Sequence, residues 1–331
     1  MDVRARCRLA GVAAMNAGGF LRDLEAKSVV LRELAQRLDL IVWPVKPGAS
    51  IVLSGMGSSY FAAETAARRF RSAGINAVAD FASVVASYPP SPSLTVVGIT
   101  ASGSSKETVG LLEEHYGTSS TIALTNVGHS ELPARNTLML HAHPEEGGVA
   151  CRTYLHTIVM LLQLERQLTG TLHDLPQKID LAADAITFLL ERRRHWLPQA
   201  MEVLDGRDGI WVLAPAERFC NALQGALMLR EGPRRNADGC ETGDWNHVDV
   251  YLTKSMDYRA LVHSGSRFDA DAATWMCERR SRFVTVGGSL EGAEFEVRYP
   301  HDHDPIVSLL NEIIVCELLA AQWWLGTSVH A

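Results

Sequence analysis

Two short stretches of this sequence, Ser54-Gly-Met-Gly-Ser-Ser59 and Thr100-Ala-Ser-Gly-Ser-Ser-Lys-Glu-Thr108, concentrate hydroxyls and glycine in a form suited to holding an anion. Glycine lets the backbone come close to a ligand, and a helix start offers N–H groups that no intrahelical carbonyl accepts. In the second stretch Thr100, Ser102 and Ser105 place hydroxyls around Gly103, a compact cradle for a phosphate dianion. A serine-rich helix cap would account for the second stretch taken alone. A dinucleotide fingerprint would account for the first, with Gly55 and Gly57 leading and Asp80 at a suitable distance for a ribose. Tyr60 stands where the third glycine belongs, however, and its ring obstructs close packing of helix on strand. Both turns follow neighbouring strands, which favours one shared anion site, because open parallel sheets bind ligands at their carboxyl edge.

Other reactive side chains carry less. His301-Asp-His-Asp304 crowds imidazoles and carboxylates, but Pro305 follows in what reads as a first helical turn. Asp304 is therefore expected to cap a helix, with no metal implied. The six cysteines are scattered without C-x-x-C or metal-ligand spacing, which predicts free thiols in a reducing cytoplasm. No cofactor is called for. Glu191-Arg-Arg-Arg-His195 reads as a solvated helix face. The net charge of −7 argues against a nucleic-acid partner, which leaves a basic footprint, but not against a small phosphorylated ligand.

The elements that must position these turns alternate. A chain of 331 residues, 47% hydrophobic and 21% charged, predicts an ordinary globular protein of about two domains. No apolar run stands out as membrane-spanning. Arg4, Arg6 and Arg8 before Leu9-Ala-Gly-Val-Ala-Ala faintly mimic a signal peptide, but Asn16, Gly18 and Gly19 break the stretch, and Met15 reads as an alternative start. An amphipathic helix is expected over 20–40. Strands are expected at 51–53, 76–81, 94–100, 121–126 and 137–141, with helices at 60–73, 106–115 and 149–168 between and after them. Residues 174–205 read as a helical connector. A second round follows, with strands at 209–213, 258–263, 283–286 and 295–298 and helices at 216–230, 270–280 and 305–326. Strands alternating with helices of this length predict an α/β fold with parallel sheets.

Residues 50–170 resemble the first sugar-isomerase (SIS) domain of the isomerase half of glucosamine-6-phosphate synthase and its double-SIS relatives. Gly55-Met-Gly-Ser-Ser59 is similar to the family's G-x-G-[ST]-S turn, Thr100–Thr108 to its [ST]-x-S-G-x-[ST]-x-[ED]-T loop, and Gly148-Val-Ala150 to its G-V-A segment. The second half resembles the family less evenly. Leu223-Gln-Gly-Ala-Leu-Met-Leu-Arg-Glu231 is similar to the L-E-G-A-L-K-L-K-E helix, and His247 falls where the histidine of E-L-x-H-G-P stands. The resemblance implies two tandem SIS domains, each a parallel-sheet three-layer αβα (flavodoxin-like) sandwich, at 46–172 and 206–331. An N-terminal extension and helix (1–45) and the connector (173–205) complete the expected organisation.

For the site, the resemblance implies that Ser58, Ser59, Thr100, Ser102 and Ser105 hold the phosphate and ring oxygens, with the Val149 backbone beside the sugar. Glu231 would shuttle a proton between C1 and C2 through a cis-enediol or enolamine. His247 would open the ring or protonate a sugar oxygen, contributed by a neighbouring subunit of a homodimer. An imidazole suits oxygen and a carboxylate near apolar surface suits a carbon acid. Departures matter too: the family lysine is Met228 here, and neither a glutaminase domain nor the synthase's C-terminal lysine segment is found, so glutamine-dependent transfer is not expected. The expected activity is an aldose–ketose isomerase acting on a hexose or amino-hexose phosphate. A ketosamine-phosphate deglycase or deaminase with the same site, and a non-catalytic sugar-phosphate sensor, remain as alternatives. Arg234 and Arg235 could hold an acidic substrate group. Lys254 could replace the missing amine, although it reads as a surface lysine. Trp323 and Trp324 fit either the subunit interface or the interior.

Overall fold

The computed structural model describes residues 15–85, 88–128 and 131–328, so the signal-like stretch, and the extension that a start at Met15 would leave, lie in residues 1–14, outside the described residues. Two five-stranded parallel sheets organise the chain. The first contains β1 (Ser50–Gly55), β2 (Ala77–Phe81), β3 (Leu94–Ile99), β4 (Ser120–Thr125) and β5 (Asn136–Met139), in the order β2-β1-β3-β4-β5. The second contains β6 (Ile210–Ala214), β7 (Ala237–Glu241), β8 (Arg259–His263), β9 (Arg282–Val286) and β10 (Phe295–Val297), in the matching order β7-β6-β8-β9-β10. The repeat expected at fold level is therefore present. Each inner strand is an apolar run (every residue of β3 and of β6 is buried) because helices cover both faces of each sheet.

Helices α1 (Ala17–Glu25) and α2 (Lys27–Arg37) precede the first sheet. The single helix expected over 20–40 breaks at Ala26. Helices α3 (Ser58–Ser72), α4 (Lys106–His115) and α5 (Arg152–Thr169) follow β1, β3 and β5. The last begins later than expected, because Val149 belongs to the turn before it. The connector is α6 (Leu175–Glu191) and α7 (Arg193–Leu204), divided at Arg192. Helices α8 (Phe219–Glu231), a one-turn α9 (Thr242–Trp245) and α10 (Asp269–Glu278) serve the second sheet, and the chain continues through α11 (Pro305–Asn311) and α12 (Ile313–Ser328).

Helix α5 is buried from Arg152 through Glu165, at the centre of one continuous apolar core shared by both halves. By length and composition, 305–327 could cross a membrane, which corrects the expectation that no segment qualifies; here 94% of its apolar window is buried inside the protein. Trp323 and Trp324 also pack within the chain, Trp323 under the Arg235 guanidinium at 4.2 Å and Trp324 beside Phe20 at 6.0 Å. Asp304 caps α11, its carboxylate accepting from the N–H groups of Ile306 and Val307 at 3.0 and 3.1 Å. Between α2 and α12 lies a fully buried ion pair, Lys27 with Glu317.

Candidate active site

The turn after β1 is shaped by two glycines. A Cβ on Gly55 would lie 2.6 Å from the Ser59 Cβ and 3.1 Å from the Ile99 carbonyl oxygen, so α3 can approach β1 and β3 only over a bare backbone. Gly57 caps α3 at φ 52°, a conformation L side chains avoid. Ser58 and Ser59 then open the helix, half-buried, and neither hydroxyl is bonded to another described group. The Tyr60 ring turns aside and stacks on Phe81 at 3.8 Å.

After β3, Gly103 takes φ 65° and Ser105 caps α4, its Oγ accepting from the Thr108 N–H at 3.5 Å. The same hydroxyl donates to Glu107 at 2.9 Å. The Glu107 carboxyl is held below its ordinary range by its own backbone N–H and by Ser105. Ser102 and Ser104 share a hydroxyl–hydroxyl bond of 2.9 Å, and Thr100 is buried beneath them. Both turns lie at the carboxyl edge of neighbouring strands, as β1 and β3 pair along their whole length.

A third segment closes on this edge through Asn126. Its backbone N–H donates to Ala101 in the hydroxyl loop at 3.1 Å, its amide donates to the His143 carbonyl at 2.9 Å, and its side-chain oxygen accepts from Ala142 at 2.9 Å. The segment runs on to the Gly148-Val149-Ala150 turn, where Gly148 takes φ 69° and Val149 is buried. One oxygen of Glu145 accepts from the N–H groups of Cys151, Arg152 and Thr153 at 2.7, 2.6 and 3.2 Å, and the other accepts from the Thr153 hydroxyl at 2.9 Å. A carboxylate therefore fills the positive end of α5.

Helix α8 joins the second half to this turn. The Gln224 amide donates to the Ala150 carbonyl at 2.9 Å, and the Tyr154 hydroxyl donates to Asn221 at 3.0 Å. Met228, which stands where the family pattern has lysine, is fully buried, its sulfur 3.6 Å from the Gln224 amide. Glu231 ends the helix half-buried. Burial pushes its carboxyl above the ordinary range; Arg234 opposes that shift and Glu145 reinforces it. Arg234 sits on a turn at φ 61° and forms no ion pair among the described residues. Arg235 is occupied, paired with Asp205 at 2.5 Å and lying over Trp323.

Helix α3, which the first hydroxyl turn opens, packs against both α5 and α8, and Glu145 ahead of α5 acts electrostatically on Glu231 at the end of α8. His247 does not join them within one chain. It is exposed and lines a separate groove with Glu241, Asp244, Asn246, Phe268 and Trp275. Lys254 is also remote from the site, exposed with its ammonium 5.2 Å from the Tyr251 ring. Sequence reasoning missed Asn126, Glu145 and Gln224. Only Glu145 left a local signal, an acid just before the N-terminus of a long helix.

Solved proteins superpose on this fold over nearly its whole length. The C-terminal domain of glucosamine-fructose-6-phosphate aminotransferase from Francisella tularensis superposes with a TM-score of 0.73 at 14% identity, over 92% of this chain and 96% of that one. Tagatose-6-phosphate ketose/aldose isomerase from Escherichia coli gives 0.74 at 14% identity over 96% of both chains. The chain has the double-SIS fold. Glucosamine-6-phosphate deaminase from Thermotoga maritima gives a TM-score of 0.71 at 17% identity, over 93% of this double-SIS chain and 95% of that one. In sequence, glutamine–fructose-6-phosphate aminotransferase (isomerizing) from Pyrococcus horikoshii is 27% identical over 222 residues, 61% of this chain and 36% of that protein. Its counterpart from Thermococcus kodakarensis is 26% identical over 185 residues, 53% of this chain and 31% of that protein. The double-SIS chain spans about a third of the length of the curated relatives it matches. No protein-family model matches it.

Proposed function

We propose that this protein is a sugar-phosphate aldose–ketose isomerase that moves a proton between C1 and C2 of a hexose or amino-hexose phosphate through a cis-enediol or enolamine. The observation that supports the reading most is a half-buried carboxylate, Glu231, whose pKa burial raises, in a chain that also carries a hydroxyl cradle at the start of α4. The phosphate would rest on Ser58, Ser59, Thr100, Ser102 and Ser105, the Ser105 hydroxyl turning from Glu107 to the ligand. The Val149 turn would flank the sugar. Glu231 would take the proton from one carbon and return it to the next; a raised pKa makes its carboxylate the stronger base. His247 would serve oxygen, at ring opening, in the site of a second copy of the chain. Its exposure supports this, beside Val248, Tyr251 and Trp275, which are 56%, 60% and 40% exposed.

A second reading keeps the site and changes the leaving group: release of an amine from C1 or C2. Arg234 favours it, as a cation beside Glu231 that has no acidic ion-pair partner among the described residues and could receive an acidic group on the departing amine.

Proton NMR in deuterated water, across hexose, hexosamine and ketosamine 6-phosphates, tests both readings. Exchange of the C1 or C2 proton is expected, and Glu231→Gln should abolish it while leaving phosphate binding intact. Ketose product marks an isomerase and free amine marks the second reading. Binding with no exchange on any substrate would overturn both in favour of a sensor.

A further inference from the structure

At the opposite edge of the first sheet, where β1, β3 and β4 begin, lies a cleft of about 480 Å³. That size falls in the range of small-molecule sites. Its walls include Lys46, Ser93, Thr95, Tyr116, Ser120 and Arg135, and no Asp or Glu lines it, although the chain carries a net charge of −7. Neither the Lys46 ammonium nor the Arg135 guanidinium has a hydrogen bond or ion pair among the described residues. Thr95 is only 2% exposed, lines the cleft, and its hydroxyl likewise has no partner among the described residues.

The negative end of α4 faces this edge, which by itself would repel an anion. Two of its closing carbonyls are already taken: Glu113 accepts from the Tyr116 N–H at 3.2 Å, and His115 from Ser119 at 3.0 Å and Thr118 at 3.3 Å. The two unpaired cations then set the sign of the cleft. Arginine and lysine both suit phosphate oxygens, and the hydroxyls of Thr95 and Ser120 suit a polyol. Strand β3 runs from Leu94 beside this cleft to Ile99 below the hydroxyl cradle. At roughly 3.3 Å per residue the two places are about 17 Å apart, too far to share one small ligand.

We propose that this cleft is a second binding site, separate from the catalytic one, for a phosphorylated, hydroxyl-bearing metabolite, with Lys46 and Arg135 on the phosphate. The experiment is calorimetric titration of inorganic phosphate and of a hexose 6-phosphate into a Ser102→Ala/Ser105→Ala variant, which disables the cradle. Residual binding of the sugar phosphate is expected, tighter than that of inorganic phosphate, and adding Lys46→Ala and Arg135→Ala should weaken it at least tenfold. Both cations are exposed, so their replacement leaves the packed core alone. Residual binding that survives this replacement, or no residual binding at all, would overturn the proposal. Hydrogen exchange on the unaltered chain gives an independent reading: the ligand should slow exchange in 116–120, and protection confined to 100–108 would also overturn it. If the proposed catalytic reading fails instead, the unaltered chain will show one site, removed by the Lys46 and Arg135 changes alone.

Discussion

Glu231 stands between two charges of opposite sign, and the proposed chemistry depends on their balance. A general base works only when deprotonated, so the acid limb of kcat/KM should follow the Glu231 carboxyl, at a pH above the ordinary carboxylate range. Glu145 raises that value and Arg234 lowers it. Glu145→Gln removes a negative neighbour, so the acid limb should move to lower pH. Arg234→Gln removes a positive one, so the limb should move to higher pH. Glutamine at 145 keeps an oxygen for the first N–H groups of α5, which separates the electrostatic effect from loss of the helix cap. A pH–rate profile of each variant is the measurement, and two shifts in the same direction would contradict the assignment.

At the scale of elements, the site depends on how closely α3 can lie against β1. Gly55→Ala would set a Cβ 2.6 Å from the Ser59 Cβ, an atom that no side-chain rotation can move. The helix must shift, carrying Ser58 and Ser59 away from the cradle. Overpacking of this kind costs about 1–3 kcal/mol. Thermal unfolding should show a lower midpoint, and titration with a hexose phosphate should show weaker binding; unchanged values for both would mean that the turn yields more easily than its packing suggests. This turn and the one after β3 were legible in the sequence because their signals are local: glycine for positive φ, and serine at a helix start. Strand β7 was not. Ala237-Asp-Gly-Cys-Glu241 is an edge strand that is largely half-buried or exposed, so it lacks the apolar run of its neighbours. Nor were the links made by Asn126, Glu145 and Gln224 legible as a set. The two amides bind carbonyls distant in the chain, a choice that only the assembled fold makes. The breaks at Ala26, Arg192 and Glu312 also went unseen, since helical periodicity continues across each of them.

At the scale of the whole molecule, His247 lines a groove that Glu231 does not line, which suits a proposed site completed by a second copy. Mixing inactive Glu231→Gln and His247→Ala proteins tests this directly. In a mixed dimer one site carries both changes and the other carries neither. Random exchange should therefore restore roughly a quarter of the unaltered activity. No recovery after exchange, or a protein that stays monomeric at assay concentrations in size-exclusion chromatography, would contradict a shared site.

The buried pair of Lys27 and Glu317 joins positions 290 residues apart. During synthesis, the ammonium of Lys27 leaves the ribosome long before the carboxylate that will neutralise it. A charge left unpaired in an apolar interior is costly, so α2 cannot settle into its final packing while α12 is still unmade. The first sheet has all its strands by residue 139, yet the helices that precede it must wait until α12 has been made. A stalled nascent chain lacking α12 should therefore expose α1 and α2 to protease, and completion of α12 should protect them.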